Sequence, residues 1–506
     1  MFVGGCTLEA VEAVCTAGND LPQDVLDSLA SLSDKSLLRP IEGVAGEPRF
    51  TMLETIREYA LERLEGSGEA EALRQRHAAY FLDLAERAAP QLHRAEQQTW
   101  LARLEAEHDN LRAALIWALD EKAIGKPDGT LYEDIVSLSQ GELGLRLASA
   151  LAEFWSRRGY LTEGCGWLEA SLARAPAPTA ARAKALNALG DLTFSVDLAA
   201  VRARLYEESL DIGQALGDKQ IVADAYYGLG ETLDTISSDN VQAAARYEQT
   251  LELYRELGDT AGSARVLNTM GSLVVDWKDY ARAMALCEES LALYRELGDT
   301  HGIIWALMRC GMVARWLDVG RAAALLAEGL ALCRELGNKA DTACTLIISG
   351  DVAQAQGNYH DATMFLEEAL ALCREIGNNV WTAWALDNLG DIALYQGDAV
   401  QAAALFENSL SLFRGVGYKE GIAQCLTGFG GVACAAGQAA RAARLCSAAE
   451  ALREAIAIPM EPADGAHYAR TIAAARAQLD DAPFAAAWAE GRAMTLEQAI
   501  DEALRS

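Results

Sequence analysis

The chain has 506 residues, 51% of them apolar and 23% charged, so it carries ample core material and not the composition of a disordered polymer. Its 43 Lys and Arg stand against 73 Asp and Glu, a formal charge of −30 that would repel the phosphates of nucleic acid or of an anionic membrane. Of ten prolines, none lies between Pro178 and Pro459, which favours packed helices over strands and turns. The longest uncharged run, Gly421 to Ala440, holds five glycines and two glutamines and is too polar to cross a membrane. Eleven scattered cysteines without a CxxC pair fit reduced thiols in a cytosol, and MFVGGCTLEAVEAVC lacks the basic start of a secretory signal. A soluble, cytoplasmic protein is expected.

Residues 1–66 predict helix, helix, β-ribbon, helix, the winged-helix order. VLDSLASLSDKSLL is amphipathic, RPIEGVAGEPRFTML alternates around Gly43 and Gly46, and ETIREYALERLE suits a capped helix. Five basic residues (Lys35, Arg39, Arg49, Arg57, Arg63) face twelve acidic ones here, so a mechanical or regulatory role is expected rather than contact with DNA phosphates. A helical connector follows at 67–142. From 143 to 458 a repeat takes over, its first unit the divergent segment Leu143 to Ala175, which ends in the break APAPTA. Gly190, Gly230, Gly271, Gly311, Gly350, Gly390 and Gly430 recur at spacings of 39 to 41, and each of the first six is followed by a Leu-, Ile- or Val-Gly pair such as Leu257-Gly258 or Ile376-Gly377.

Each unit predicts two helices, as in ARVLNTMGSLVVD and YARAMALCEESLALYRELG. The second Gly suits a left-handed C-cap and the following Asp or Asn a new N-cap. A Gly inside a helix costs about 1 kcal/mol against Ala, so its recurrence implies a packing contact that admits no side chain. After the break PMEPADG, helices are expected around Ala466–Leu479 and Pro483–Leu504, closing the apolar end at 459–506.

The register resembles the tetratricopeptide repeat: Gly271, Ala283, Cys287 and Ser290 match its small, Ala, bulky and small positions, as do Gly350, Ala362, Leu366 and Ala369, and Gly390, Ala402, Phe406 and Ser409. The departures are a period near 40 and no helix-ending proline. The fold expected is all-α: a tetratricopeptide-like right-handed superhelical solenoid with a small N-terminal winged-helix-like domain. DVLDSLASLSDKSLL, RFTMLETIREYALERL, RHAAYFLDLAE and WLARLEAEHDNLRAALIWAL also resemble the sensor region of bacterial NB-ARC or signal-transduction ATPases, the LuxR-type transcriptional regulators; FAAAWAEGRAMTLEQAIDEAL resembles the segment before their DNA-binding domain. There is no GxxxxGK[ST]; AIGKPDG and LGNKAD lack its glycines and hydroxyl, and no basic helix-turn-helix follows Leu504. The resemblance therefore implies the sensing part, without ATPase or DNA-binding domain, as a fragment or as a stand-alone derivative.

No catalytic or metal constellation emerges, and no cofactor is expected. The six histidines are isolated in sequence, and Cys333 and Cys373 share a repeat slot with Tyr254, Tyr294 and Phe413, which marks a packing position. The expectation is no enzyme but a binding module. Positions −6, −3, +1 and +4 from the marker Gly should project from the first helix of each pair into a concave groove. They give Arg265, Asn268, Trp305, Arg315, Asp351, Trp384, Asp387 and Asp391, with Asn388 beside them, and earlier Lys184, Asp191, Asp224, Glu231 and Asp234. Acids with tryptophans suit a basic peptide or protein segment, or a polar small effector. Trp155 and Trp167, near Arg157 and Arg158, form a second cluster for which helix packing is the plainer explanation. A regulatory sensor or scaffold is expected, with a protein–protein adaptor as the alternative.

Overall fold

A computed structural model describes residues 1–16, 22–120, 138–193, 198–237, 240–276, 278–456 and 462–505. The strings AIGKPDG and part of PMEPADG lie outside them, as does the side chain of His467. The chain divides into two compact units, Met1–Val266 with Leu293–Thr300, and Leu267–Ala292 with His301–Ser506.

The N-terminal elements are β1 (Cys6–Thr7), α1 (Leu8–Cys15), α2 (Pro22–Asp34), β2 (Arg39–Glu42), β3 (Pro48–Thr51) and α3 (Glu54–Ser67). The expected ribbon pairs β2 with β3, Pro40 opposite Phe50. One further strand is present: β1 pairs with the other edge of β3, giving the order β1-β3-β2. The result is a winged helix. Of the caps expected for α3, the N-terminal one is absent, because Leu53 offers no acceptor, while Gly68 caps the C-terminus in the left-handed region.

Next come α4 (Ala70–Ala88), a 3-10 turn (Ala89–His93), α5 (Gln97–Ala106) and α6 (His108–Leu119). Phe81, Leu82, Leu84 and Leu111 are buried in the first unit's core. Eight helix pairs follow in chain order. They are α7 (Gln140–Arg158) and α8 (Leu161–Arg174), α9 (Ala180–Leu192) and α10 (Ala199–Leu216), α11 (Lys219–Ser237) and α12 (Asn240–Leu257), α13 (Thr260–Asp276) and α14 (Tyr280–Leu297). Then come α15 (Thr300–Ala314) and α16 (Val319–Leu336), α17 (Lys339–Ala355) and α18 (Tyr359–Glu375), α19 (Asn379–Tyr395) and α20 (Ala399–Gly415), α21 (Lys419–Ala435) and α22 (Ala439–Ala455). The final helices are α23 (Pro462–Gln478), α24 (Asp481–Arg492) and α25 (Leu496–Leu504). The last stretch, expected as one helix, breaks before Thr495, which forms a capping box with Gln498. Phe484 and Ala487 of α24 pack with Ala433, Ala442 and Ala443.

The recurring glycine acts as a socket in each of the seven pairs from α9–α10 onward. A Cβ on Gly190 would come within 2.5 Å of the Tyr206 ring, on Gly230 within 2.6 Å of Tyr247, and on Gly271 within 2.4 Å of the Cys287 sulfur. Leu326, Leu366, Phe406 and Cys446 press equally close on Gly311, Gly350, Gly390 and Gly430. The expectation of contacts that admit no side chain holds at all seven. The second glycine also behaves as expected: Gly217, Gly258, Gly298, Gly337, Gly377 and Gly417 all have φ between +65° and +71°. After them, Asn338 and Asn378 cap the next helices, accepting from Asp341 N and Trp381 N.

Candidate functional site

In the first unit, α7, α9, α11 and α13 wall a cavity of 880 Å³, closed on one side by Glu86 of α4. Lys184, Asp191, Asp224, Glu231 and Arg265 all line it, so the register from the marker glycine leads to this wall. Arg265 is the organising charge. Its guanidinium lies 4.2 Å from the Tyr227 ring centroid and donates to the Tyr254 hydroxyl at 3.0 Å. Tyr254 in turn donates to Asp224 at 2.6 Å, while Tyr206 donates to Asp191 at 2.8 Å and Tyr227 to Glu231 at 2.9 Å. Gln220 also donates to Asp224, at 3.2 Å.

Burial pushes the Asp224 carboxyl up to about 6, with Arg265 opposing. Asp191 and Glu231 are raised for the same first reason, loss of water, and Glu231 also feels Asp191. Three acids therefore draw on the Arg265 guanidinium, and Arg202 also reaches Glu231 at 3.4 Å. The tyrosine hydroxyls were not anticipated: Tyr206 and Tyr254 occupy slots that read as packing positions. The signal lay in coincidence, since these tyrosines occur in the repeats that also place Asp or Glu at inward positions.

Asp234, also expected in the first unit, is not among the residues lining this cavity; the other expected residues lie in the second unit and form smaller groups. Arg315 of the α15–α16 turn, Asp351 of α17 and Asn388 of α19 come together: Asn388 donates to Asp351 at 2.6 Å and Arg315 stands 3.7 Å from it. Trp305 is 39% exposed, with its ring edge-on to His301. Trp384 instead packs against Phe413 and Tyr418. Asp387 is buried and accepts from the Cys425 thiol at 3.3 Å. Asp391 is pushed up to about 7 by burial, against the pull of Arg470, which stacks on Tyr395. Asn268 is buried, and its Oδ1 has no hydrogen-bond partner among the described residues.

The remaining candidates are structural. Trp155 is buried against Gly164, and Trp167 donates to Glu163 at 3.2 Å. Burial depresses the His77 imidazole to about 3. No group of three metal-ligating side chains converges among the described residues.

The winged helix is fastened to the connector through Arg49 of β3. Its guanidinium is buried on the Glu107 carboxylate and donates to the carbonyls of Gly5 (3.2 Å) and Ala106 (2.8 Å). Asn110 completes the joint by accepting from Val3 N at 2.7 Å and donating to Glu107 at 2.6 Å. The connector is tied in turn to the first helix pair: Arg146 binds Glu86 twice at 2.7 Å, Tyr160 donates to Glu105 at 2.7 Å, and Arg112 binds Glu163 at 2.6 Å. A second cavity of 380 Å³ lies between the connector turn at Pro90, His93 and Arg94 and the residues Gly258–Gly262, Tyr294 and Leu297. Arg265 lines this one as well.

Fold and site together define a helical-repeat protein with a winged-helix domain at its N-terminal end. Residues 341–414 match the tetratricopeptide repeat model and residues 1–65 the winged helix-turn-helix domain model. Over 281 residues, 53% of this chain, it is 34% identical to a protein of Mycobacterium tuberculosis H37Rv named as an HTH-type transcriptional regulator (Rv0890c), and equally to its Mycobacterium bovis counterpart (Mb0914c). That match covers 29% of the relatives' length, so the chain spans less than a third of them. Among solved structures, the quorum sensor NprR of B. thuringiensis has a TM-score of 0.48 at 13% identity, covering 78% of this chain and all of that one. The Signal Transduction ATPase with Numerous Domains PH0952 of Pyrococcus horikoshii has a TM-score of 0.44 at 13% identity, covering 98% of this chain and 62% of that one.

Proposed function

We propose that this chain is the non-catalytic sensing part of a bacterial transcription regulator, working in the cytoplasm. Its repeats bind a protein, peptide or small effector on the inward faces of the first helices and report that state to the winged helix. The division of labour follows the segments 1–66, 67–142, 143–458 and 459–506. The observation that carries this reading is the pair of polar joints on the two sides of the connector: the half-buried Arg146–Glu86 pair toward the cavity wall and the buried Arg49–Glu107 pair toward β3. The relatives' name, HTH-type transcriptional regulator, supports the regulatory setting. Arg49, one of five basic residues in 1–66, is spent on Glu107, and the surplus of acid there argues for signal transfer rather than phosphate contact.

The test is amide hydrogen exchange on the 506-residue chain with effectors found by thermal-shift screening of peptides and small molecules. An effector that raises the melting temperature is expected to slow exchange at 39–51 and 97–110. Exchange there that does not respond to any bound effector would end the sensor reading.

A further inference from the structure

We propose that the 880 Å³ cavity of the first unit takes a small organic cation, with ammonium or guanidinium groups as its donors. The proposal rests on the sensor reading above and adds the chemistry of the effector. The volume falls within the range of small-molecule pockets, roughly 300–1,000 Å³. Six carboxylates line it, Glu86, Glu142, Glu153, Asp191, Asp224 and Glu231, against three lining cations, Arg146, Lys184 and Arg265, while Arg157 and Arg202 reach Glu153 and Glu231 from outside the lining. Arg146 is committed to Glu86, and Lys184 is exposed.

An independent observation gives the same sign. Asn187 also lines the cavity and is only 5% exposed, its Nδ2 donates to Ile221 O at 3.4 Å, yet its Oδ1 has no hydrogen-bond partner among the described residues. A buried acceptor without a donor is costly, and an ammonium or guanidinium group supplies one. The wall already demonstrates how it holds such a group: Arg265 rests on the Tyr227 face, with the tyrosine-bonded acids Asp191 and Asp224 supplying the countercharge. An anion would meet the acids, and an apolar ligand would strip them of water without replacing it.

The same chemistry has two sources, a free polyamine and the Lys or Arg side chain of a peptide. Calorimetry on the full chain with spermidine, arginine amide and an Arg-Lys tetrapeptide separates them, with triacetylspermidine and glutarate as uncharged and anionic controls. Saturable binding of at least one cation is expected, weakened tenfold or more in the Asp191→Asn/Asp224→Asn double variant. Asn187→Lys, which brings its own ammonium into the cavity, is expected to abolish it, and serves if the double variant does not fold. Asp387→Asn is expected to bind as the parent does. Binding by the tetrapeptide only assigns the cation to a peptide.

Silence from all three cations, equal affinity in both cavity variants, or preference for glutarate would overturn the proposal. If glutarate bound and slowed exchange at 39–51, the sensor reading would stand without the cation. If spermidine bound in the cavity and left 39–51 untouched, the cation site would stand without the sensor.

Discussion

The two units use one packing rule with different side chains. About sixteen residues after each marker glycine a knob on the next helix enters its socket; in the first unit it is Tyr206 or Tyr247, and in the second Cys287, Leu326, Leu366, Phe406 or Cys446. The following slot varies in the same way, Tyr254 and Tyr294 against Cys333, Cys373 and Phe413. An aliphatic, thiol or phenyl knob only stacks its repeat. A tyrosine can also extend a hydroxyl beyond its slot, as Tyr206 does to Asp191 and Tyr254 of the following slot to Asp224, whereas the Tyr247 hydroxyl is buried without a hydrogen-bond partner among the described residues. A repeat built for packing thus acquires a polar wall by the addition of one oxygen.

The contrast can be broken first where the first unit depends on buried charge. Glu107→Ala leaves Arg49 buried without its carboxylate and is expected to cost about 3–5 kcal/mol in urea unfolding. Next are the sockets themselves. Gly190→Ala and Gly350→Ala each overpack a helix contact, at roughly 1–3 kcal/mol, against about 1 kcal/mol returned by helix propensity. Gly190→Ala should be the worse, because the Tyr206 hydroxyl is held by Asp191 while Leu366 has only apolar neighbours to adjust. Equal melting temperatures would show that the hydroxyl does not fix the ring.

A smaller effect separates the second slots. Tyr254→Phe removes a donor from half-buried Asp224 and should destabilise by about 1–3 kcal/mol. Asp224 also imposes a pH dependence. Its folded value near 6 lies above the 3.8 of the unfolded chain, so the native state holds the proton longer as pH rises. The stabilising contribution of Asp224 is therefore full below about pH 4, declines up to about pH 6, and is flat beyond. Gln220, Tyr254, Arg265, Asp191 and Asp259 all act on this group. Asp224→Asn should gain on the parent across that window in denaturant titrations at stepped pH; parallel curves would place the carboxyl in water. Smallest of all, Lys339→Ala removes an exposed bridge to Glu375 within the α17–α18 pair of the second unit and should cost at most a few tenths of a kcal/mol.

Much of the fold was legible because it is periodic: the sockets, the left-handed caps and the Asn and Asp N-caps each recur at one spacing. The short strand β1 was not, since two residues carry no period, and neither was the break at Thr495 inside an apparently continuous helical pattern. The inward register led to Asp191, Asp224, Glu231 and Arg265, yet it could not say which inward residues close on a cavity. Trp384 shares its register with Trp305, yet it packs on Phe413 and Tyr418, because an inward residue close to the next helix meets that helix before it meets the groove. The tyrosine hydroxyls stayed hidden since a buried Tyr and a buried Phe satisfy the same apolar slot.

Arg265 forms part of the wall of both first-unit cavities, one bordered by the carboxylates and the other by the connector turn at Pro90–Arg94. A ligand in either space that displaces this guanidinium thereby reshapes the other. Whatever shifts the guanidinium toward one changes the free energy of filling the other, and the exchange is reciprocal by the same factor in both directions. A cross-link that pins the connector turn would then retune the affinity of the large cavity without touching a single one of its carboxylates.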